Sequence, residues 1–222
     1  MKKTLFVCGL SALQLAGTAQ AAVLTGDLNV NTAIPDGNPV GITTSQIFSI
    51  PYYGYITSVS VDLNISGGYN GDLYGYLEYQ DANNNIATEV LLNRVGTSAS
   101  NPFGSSGSGF NVTLSDSGTV NGSIHNATGN PTGTWLPDST YSLNGTFGGM
   151  AAAGTWTLFL ADLSVGGGTE TLNSWGLDIV AVPESGQTGW VVGLGGLLAV
   201  AALELLNRRR RHNVAFARIS SK

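Results

Sequence analysis

Cysteine is almost missing from this chain. Its single copy, Cys8, falls in a 21-residue leader that carries Lys2 and Lys3, the apolar run 5–15 and the small-residue ending Ala19-Gln20-Ala21. That layout predicts a secretory signal peptide cleaved by signal peptidase after Ala21, with Cys8 placed too early for a lipoprotein site. The exported remainder then has no thiol, so no disulfide is available to hold it together. Positive charge is the second shortage. Of nine Lys and Arg, Arg94 alone lies between Ala22 and Pro183, against twelve of the fourteen acidic residues, so that segment carries −11 while the whole chain shows only −5. Such a body repels phosphate backbones, which excludes nucleic acid as a partner and favours cations. The same acidity also serves solubility outside the cell. Histidine is nearly absent as well: His125 is the one imidazole in the body, in a polar stretch that predicts an exposed loop side chain, and His212 lies near the far end.

A helical period is also missing between Ala22 and Pro183; what is present is alternation. With 31 Gly and 10% charged residues, the composition suits short strands joined by many turns. Ala33 to Asn38 reads as turn chemistry opening the domain, followed by a short strand at 46–50. In 56–66, Val59, Val61, Leu63 and Ile65 alternate with Ser60, Asp62, Asn64 and Ser66, the pattern of a half-buried strand. Further strands are predicted over 73–80 and 86–95, at Phe110, Val112 and Leu114, and near 120–124, with a polar loop over 97–109. Tyr74, Tyr76 and Tyr79 read as packing and surface aromatics. In 154–179, Trp156, Leu158 and Leu160 and then Trp175, Leu177 and Ile179 form two core strands, which the Gly-rich 164–169 joins in a hairpin-like pair. The expected fold is all-β, an antiparallel jelly-roll β-sandwich.

Several stretches together resemble a known family. Thr134-Trp135-Leu136-Pro137, Leu143-Asn144-Gly145, Gly154-Thr155-Trp156-Thr157-Leu158, Asp162 and Leu172-Asn173-Ser174-Trp175 look like the P domain (P/Homo B domain) of kexin- and furin-like proprotein convertases. So do Ile34-Pro35-Asp36, Leu63-Asn64-Ile65, Gly71-Asp72-Leu73 and Leu92-Asn93-Arg94-Val95-Gly96 upstream, in the family's order. The resemblance covers about 33–180 and implies a jelly roll that normally follows and stabilises a subtilisin-like catalytic domain. It does not imply protease activity here: His125 has no Ser nucleophile or orienting Asp in recognisable relation, and no Ser sits in a G-x-S-x-G elbow. It does imply calcium held by loop carboxylates, with Asp36, Asp72 and Asp162 at the acidic positions. Where the family often reads Asp, any residue, Gly, this chain has Gly168-Thr169-Glu170, so one carboxylate is gone and another is displaced.

The C-terminal part resembles a PEP-CTERM or VPDSG-CTERM sorting tail processed by exosortase-type enzymes. Val182-Pro183-Glu184-Ser185 and Gly186 precede the apolar run 190–206, then Arg208, Arg209, Arg210 and Arg211, and a short tail over 212–222. Seventeen apolar residues just span a bilayer core as a transmembrane helix, and the arginines hold that end in the cytoplasm. The expected organisation is a signal peptide (1–21), a P-domain-like sandwich (22–181), a sorting tail (182–211) and a cytoplasmic end (212–222). The expected protein is non-enzymatic and exported, held by its C-terminal helix until processed and then surface-displayed or released, with an adhesion, matrix or envelope role. A second expectation is an accessory domain for a separate subtilisin-like endopeptidase. A third is a carbohydrate-binding jelly roll, with extracellular polysaccharide as the partner.

Overall fold

Two β-sheets share one apolar core in the computed structural model, which describes residues 21–49 and 54–183. The strands are β1 (Ala22–Ile34), β2 (Asn38–Phe48), β3 (Gly54–Gly67), β4 (Leu73–Asp81), β5 (Ile86–Asn93), β6 (Gly109–Ser115), β7 (Thr132–Trp135), β8 (Gly154–Asp162) and β9 (Glu170–Pro183). Their order is β1-β9-β3-β6-β7 in one sheet and β2-β8-β4-β5 in the other. The inward residues expected of β3 are inward: Val59, Val61, Leu63 and Ile65 are at most 2% exposed. They sit beside Leu172, Trp175, Leu177 and Ile179 of the antiparallel neighbour β9, with Leu63 opposite Trp175. From the other sheet come Leu73, Leu77 and Tyr79 of β4 and Trp156, Leu158 and Leu160 of β8. Tyr79 stacks on Trp156 with ring centres 4.0 Å apart, and Phe147 meets both rings edge-on.

Four expectations change. The stretch 154–179 is not a hairpin: β8 and β9 lie in different sheets, and 164–169 carries the chain across one end of the sandwich. Alternation reports that a strand has a buried face, but the same pattern suits either sheet, so it does not choose the partner. The residues 120–124 do not form a strand; two 3-10 turns, Gly118–Val120 and Ile124–Asn126, replace it, and Val120 is 95% exposed. A short helix α1 (Leu143–Phe147) stands where no helical period is legible, since five residues are too few to display one. Its first turn is fixed from outside, where the Leu143 and Asn144 amides donate to the two oxygens of Asp116 at 2.9 Å each. The sandwich is also not wholly antiparallel, because β7 runs parallel to β6.

β1, a strand with no counterpart in the sequence reading, is an edge strand against β9, with Leu24 opposite Ile179 and Leu28 opposite Trp175. β9 runs through the first half of the sorting motif, pairing Val182 with Tyr55 and Pro183 with Gly54. The leader (1–20), the rest of the sorting motif (Glu184, Ser185), the apolar run 190–206, the cluster Arg208, Arg209, Arg210 and Arg211, and 212–222 lie outside the described residues. Among the described residues no helix is long and apolar enough to cross a membrane.

Candidate functional site

One end of the sandwich gathers carboxylates from four separate parts of the chain. Asp162 closes β8 between the starts of its neighbours, opposite Asn38 of β2 and Leu73 of β4. Glu170 opens β9 in the facing sheet, opposite Ile34 at the end of β1 and Gly67 at the end of β3. Both side chains are fully buried, and their carboxyl groups lie against one another across the end of the sandwich. Asp162 Oδ1 accepts the Ser164 amide at 2.9 Å and Glu170 Oε1 accepts the Tyr69 amide at 2.8 Å. Asp162 Oδ2 and Glu170 Oε2 receive no donor from any other group, and the protonated Glu170 carboxyl hydrogen-bonds to Asp162. Glycine makes room for this: a Cβ on Gly68, whose φ is +63°, would lie 2.1 Å from the Glu170 carboxyl.

Asp72 follows from the 3-10 turn Asn70–Asp72 and is 7% exposed. Burial raises its carboxyl above the ordinary range; the Ser164 hydroxyl pulls it down, the charge of Asp162 pushes it up and Arg94 offsets part of this. The Arg94 guanidinium stands 3.8 Å from Asp72 Oδ1 and donates to Ser164 Oγ at 3.2 Å and to the Gly71 carbonyl at 3.2 Å. The lone cation of the body is thus set at this cluster. Asp36, in the turn between β1 and β2, takes the Gly166 amide on both oxygens, at 2.9 and 3.2 Å. Burial, reinforced by Asp162 and opposed by the Tyr69 amide, raises the Glu170 carboxyl to about 7.

Asp36, Asp72 and Asp162 therefore do reach the same end of the fold, but each faces a different partner. Among the described residues no group of three or more His, Cys, Asp or Glu is gathered to hold a metal ion. The two carboxyls that do meet belong to Asp162 and to Glu170, the displaced carboxylate. Its role was not legible as a site residue because the Ile34 and Gly67 pairings that aim it inward are long-range.

His125 corrects another expectation. It is not a free loop imidazole but a clamp: Nδ1 lies 2.7 Å from Asp138 Oδ2, and Nε2 lies 2.9 Å from the Thr97 carbonyl. Burial lowers its pKa, but those two hydrogen bonds outweigh it and hold the imidazole above its ordinary value. Burial likewise raises Asp138, against the pull of His125. A carbonyl has no proton to give, so Nε2 donates to Thr97, and Nδ1 donates to Asp138 when the ring is protonated. Ser105 lines the same cleft, and its buried hydroxyl has no hydrogen-bond partner, His125 included. On the outer face of the four-stranded sheet, Tyr76 stacks on Phe159 at 4.8 Å with Tyr74 edge-on to Tyr76, so these aromatics pack largely on each other.

No family model and no curated protein matches the chain. Among solved structures, the serine protease of Aeromonas sobria in complex with its chaperone ORF2 is 16% identical with a TM-score of 0.46, over 74% of this chain. The structure of the Aeromonas sobria serine protease is 17% identical with a TM-score of 0.43, over 72% of this chain. The chain spans little more than a quarter of each of those proteins, 28% and 27%.

Proposed function

We propose that this chain is a non-catalytic exported module of the convertase P-domain type, serving as an accessory or stabilising domain for a separate subtilisin-like serine endopeptidase. The observation that carries the reading is the convergence of its landmarks. Ile34-Pro35-Asp36, Gly71-Asp72-Leu73, Asn93-Arg94 and Asp162 are scattered over the sequence, yet they build one end of the sandwich, while Trp156 and Trp175 fill its core. Short strings that match by chance have no reason to meet in space. The absence of catalysis is supported by His125, whose two ring nitrogens are committed to Asp138 and Thr97, since a general base needs a free nitrogen within reach of its nucleophile.

In this reading the leader exports the acidic sandwich and the C-terminal segment retains it until an exosortase-type enzyme acts. An adhesion, matrix or envelope role rests on that tail alone; the accessory role rests on the folded domain. The test uses the full chain purified in mild detergent, mixed with a subtilisin-like catalytic domain from the same genome. Co-elution of the two, with no hydrolysis of basic-site peptides by the chain alone, is the expected result. Separate elution contradicts the accessory role. Hydrolysis that survives stringent purification and vanishes in His125→Ala contradicts the absence of catalysis.

A further inference from the structure

The loops at the carboxylate end of the sandwich are turned inside out, with polar groups tied to one another and large apolar side chains left in water. Val165 is 88% exposed and Phe103 71%, and Val40 and Leu163 are exposed as well. Each is held from beneath. The Leu163 amide donates to the Asp72 carbonyl at 2.9 Å and the Gly166 amide to Asp36, so Val165 is pinned between two ties. A Cβ on Gly37, whose φ is +61°, would lie 2.5 Å from the Val165 side chain, which sets the turn before β2 directly against it. Arg94 joins the second loop to the first: its guanidinium donates to Ser164 Oγ at 3.2 Å and to the Pro102 carbonyl at 3.5 Å. The neighbouring Phe103 carbonyl lies close over Gly71, where a Cβ would stand 2.0 Å from it. Val40 belongs to the same end, its amide donating at 3.0 Å to Oδ1 of Asn38, the residue opposite Asp162. Single apolar side chains at a surface need no explanation, but several on loops fixed to one another mark an interaction surface.

We propose that this end of the sandwich, through Phe103, Leu163 and Val165, is the surface by which the chain docks on the subtilisin-like catalytic domain, at an apolar hollow bordered by lysine and arginine. The assignment rests on the accessory reading above and adds its contact surface. Charge selects the occupant. With twelve acids against Arg94 alone, segment 22–183 carries −11. Arg94 is itself engaged by Asp72, Ser164 and two carbonyls, and Asp36 lies exposed at the rim. A second copy would bring the same charge to the same patch, and an anionic bilayer surface is repelled likewise. A protein surface with cations around an apolar centre matches both features: burial supplies the attraction and opposite charges orient the approach. Because the loops are already tied together, little order remains to be gained on binding.

The full chain in mild detergent is immobilised, and a subtilisin-like catalytic domain from the same genome, lacking its own C-terminal module, is passed over it. Phe103→Asp and Val165→Asp alter exposed side chains, so a Tm like the parent's is expected for both. Ile86→Asp makes the same change at an exposed site at the opposite end, where Ile86 pairs with Gln80 near the start of β8. The parent and Ile86→Asp are expected to bind alike, and Phe103→Asp and Val165→Asp each to weaken Kd about tenfold or more. The association rate is expected to fall several-fold between low and high salt. Binding of both loop variants as tight as the parent's refutes this surface while the accessory role stands. A parent that does not bind overturns the accessory role and the surface with it. Loss of binding in Ile86→Asp alone places the contact elsewhere, and an association rate indifferent to salt removes the basic border. If the chain alone forms a dimer that the loop variants abolish, the patch belongs to a second copy and the proposal falls.

Discussion

Glu170 has an ordinary carboxyl in the unfolded chain, near 4.5, and one at about 7 in the fold, where burial and Asp162 favour the protonated form. The folded state therefore keeps a proton that the unfolded state gives up across that interval. The stabilisation this brings is complete below about 4.5 and is lost as the pH rises to about 7. With divalent cations chelated, the Tm is expected to fall as pH rises through this window, and Glu170→Gln to flatten the fall. A pH series of thermal melts checks it, and identical slopes in parent and variant contradict it. His125 works in a higher window, since its folded pKa lies above 6.5 and its contribution is lost as pH rises through that value. His125→Ala removes the bonds to Asp138 and Thr97 and leaves the mostly buried Asp138 carboxylate with the Asn93 amide but without its charged partner. It is expected to cost about 1–2 kcal/mol at pH 6, measured by denaturant unfolding.

At the scale of elements, the sequence is most legible where alternation is uninterrupted. In β3 the inward positions from Val59 to Ile65 are all apolar, as are Phe110, Val112 and Leu114 of β6 and Leu73, Leu77 and Tyr79 of β4, and these strands lie where the pattern predicts. β1 is different: as an edge strand its Leu24, Leu28 and Val30 are only partly covered, and Thr, Asn and Gly fill the rest. Pairing with β9, not its own composition, makes it a strand. The exchange of a hairpin for a crossover between β8 and β9 has a similar origin, because which sheet each strand joins is set by β2, β4, β1 and β3. The two Trp residues were identifiable as core from the sequence; their arrival from opposite sheets was not. Trp156→Ala would leave a cavity against Tyr79 and Phe147 and is expected to destabilise by about 3–5 kcal/mol. Asp116→Ala, which frees the first amides of α1, is expected to cost about 1 kcal/mol. Equilibrium denaturation separates the two, and equal effects contradict the assignment of Trp156 to the centre of the core.

For the whole molecule, the charge distribution was readable directly, because it depends on composition and order rather than on contacts. The carboxylate site was legible only in part: Asp36, Asp72 and Asp162 by resemblance, with Glu170 left as a displaced residue until β9 was seen to aim it inward. The sorting tail carries its own expectation. β9 extends through Val182 and Pro183 in a ladder with β3, so the first two residues of the motif are strand-paired. Native protein from cells with an exosortase-type enzyme is expected to end near Pro183 or Glu184 by mass spectrometry; peptides from Arg218 to Lys222 on most surface-located protein contradict it. The accessory role is the central claim, and the inactivation rate of the partner tests it most directly. A subtilisin-like catalytic domain from the same genome, lacking its own C-terminal module, is heated alone and with the full chain at equimolar amounts, and residual peptidase activity is followed over time. The account predicts a several-fold longer half-life in the presence of the chain, and a half-life unchanged by its addition would contradict it.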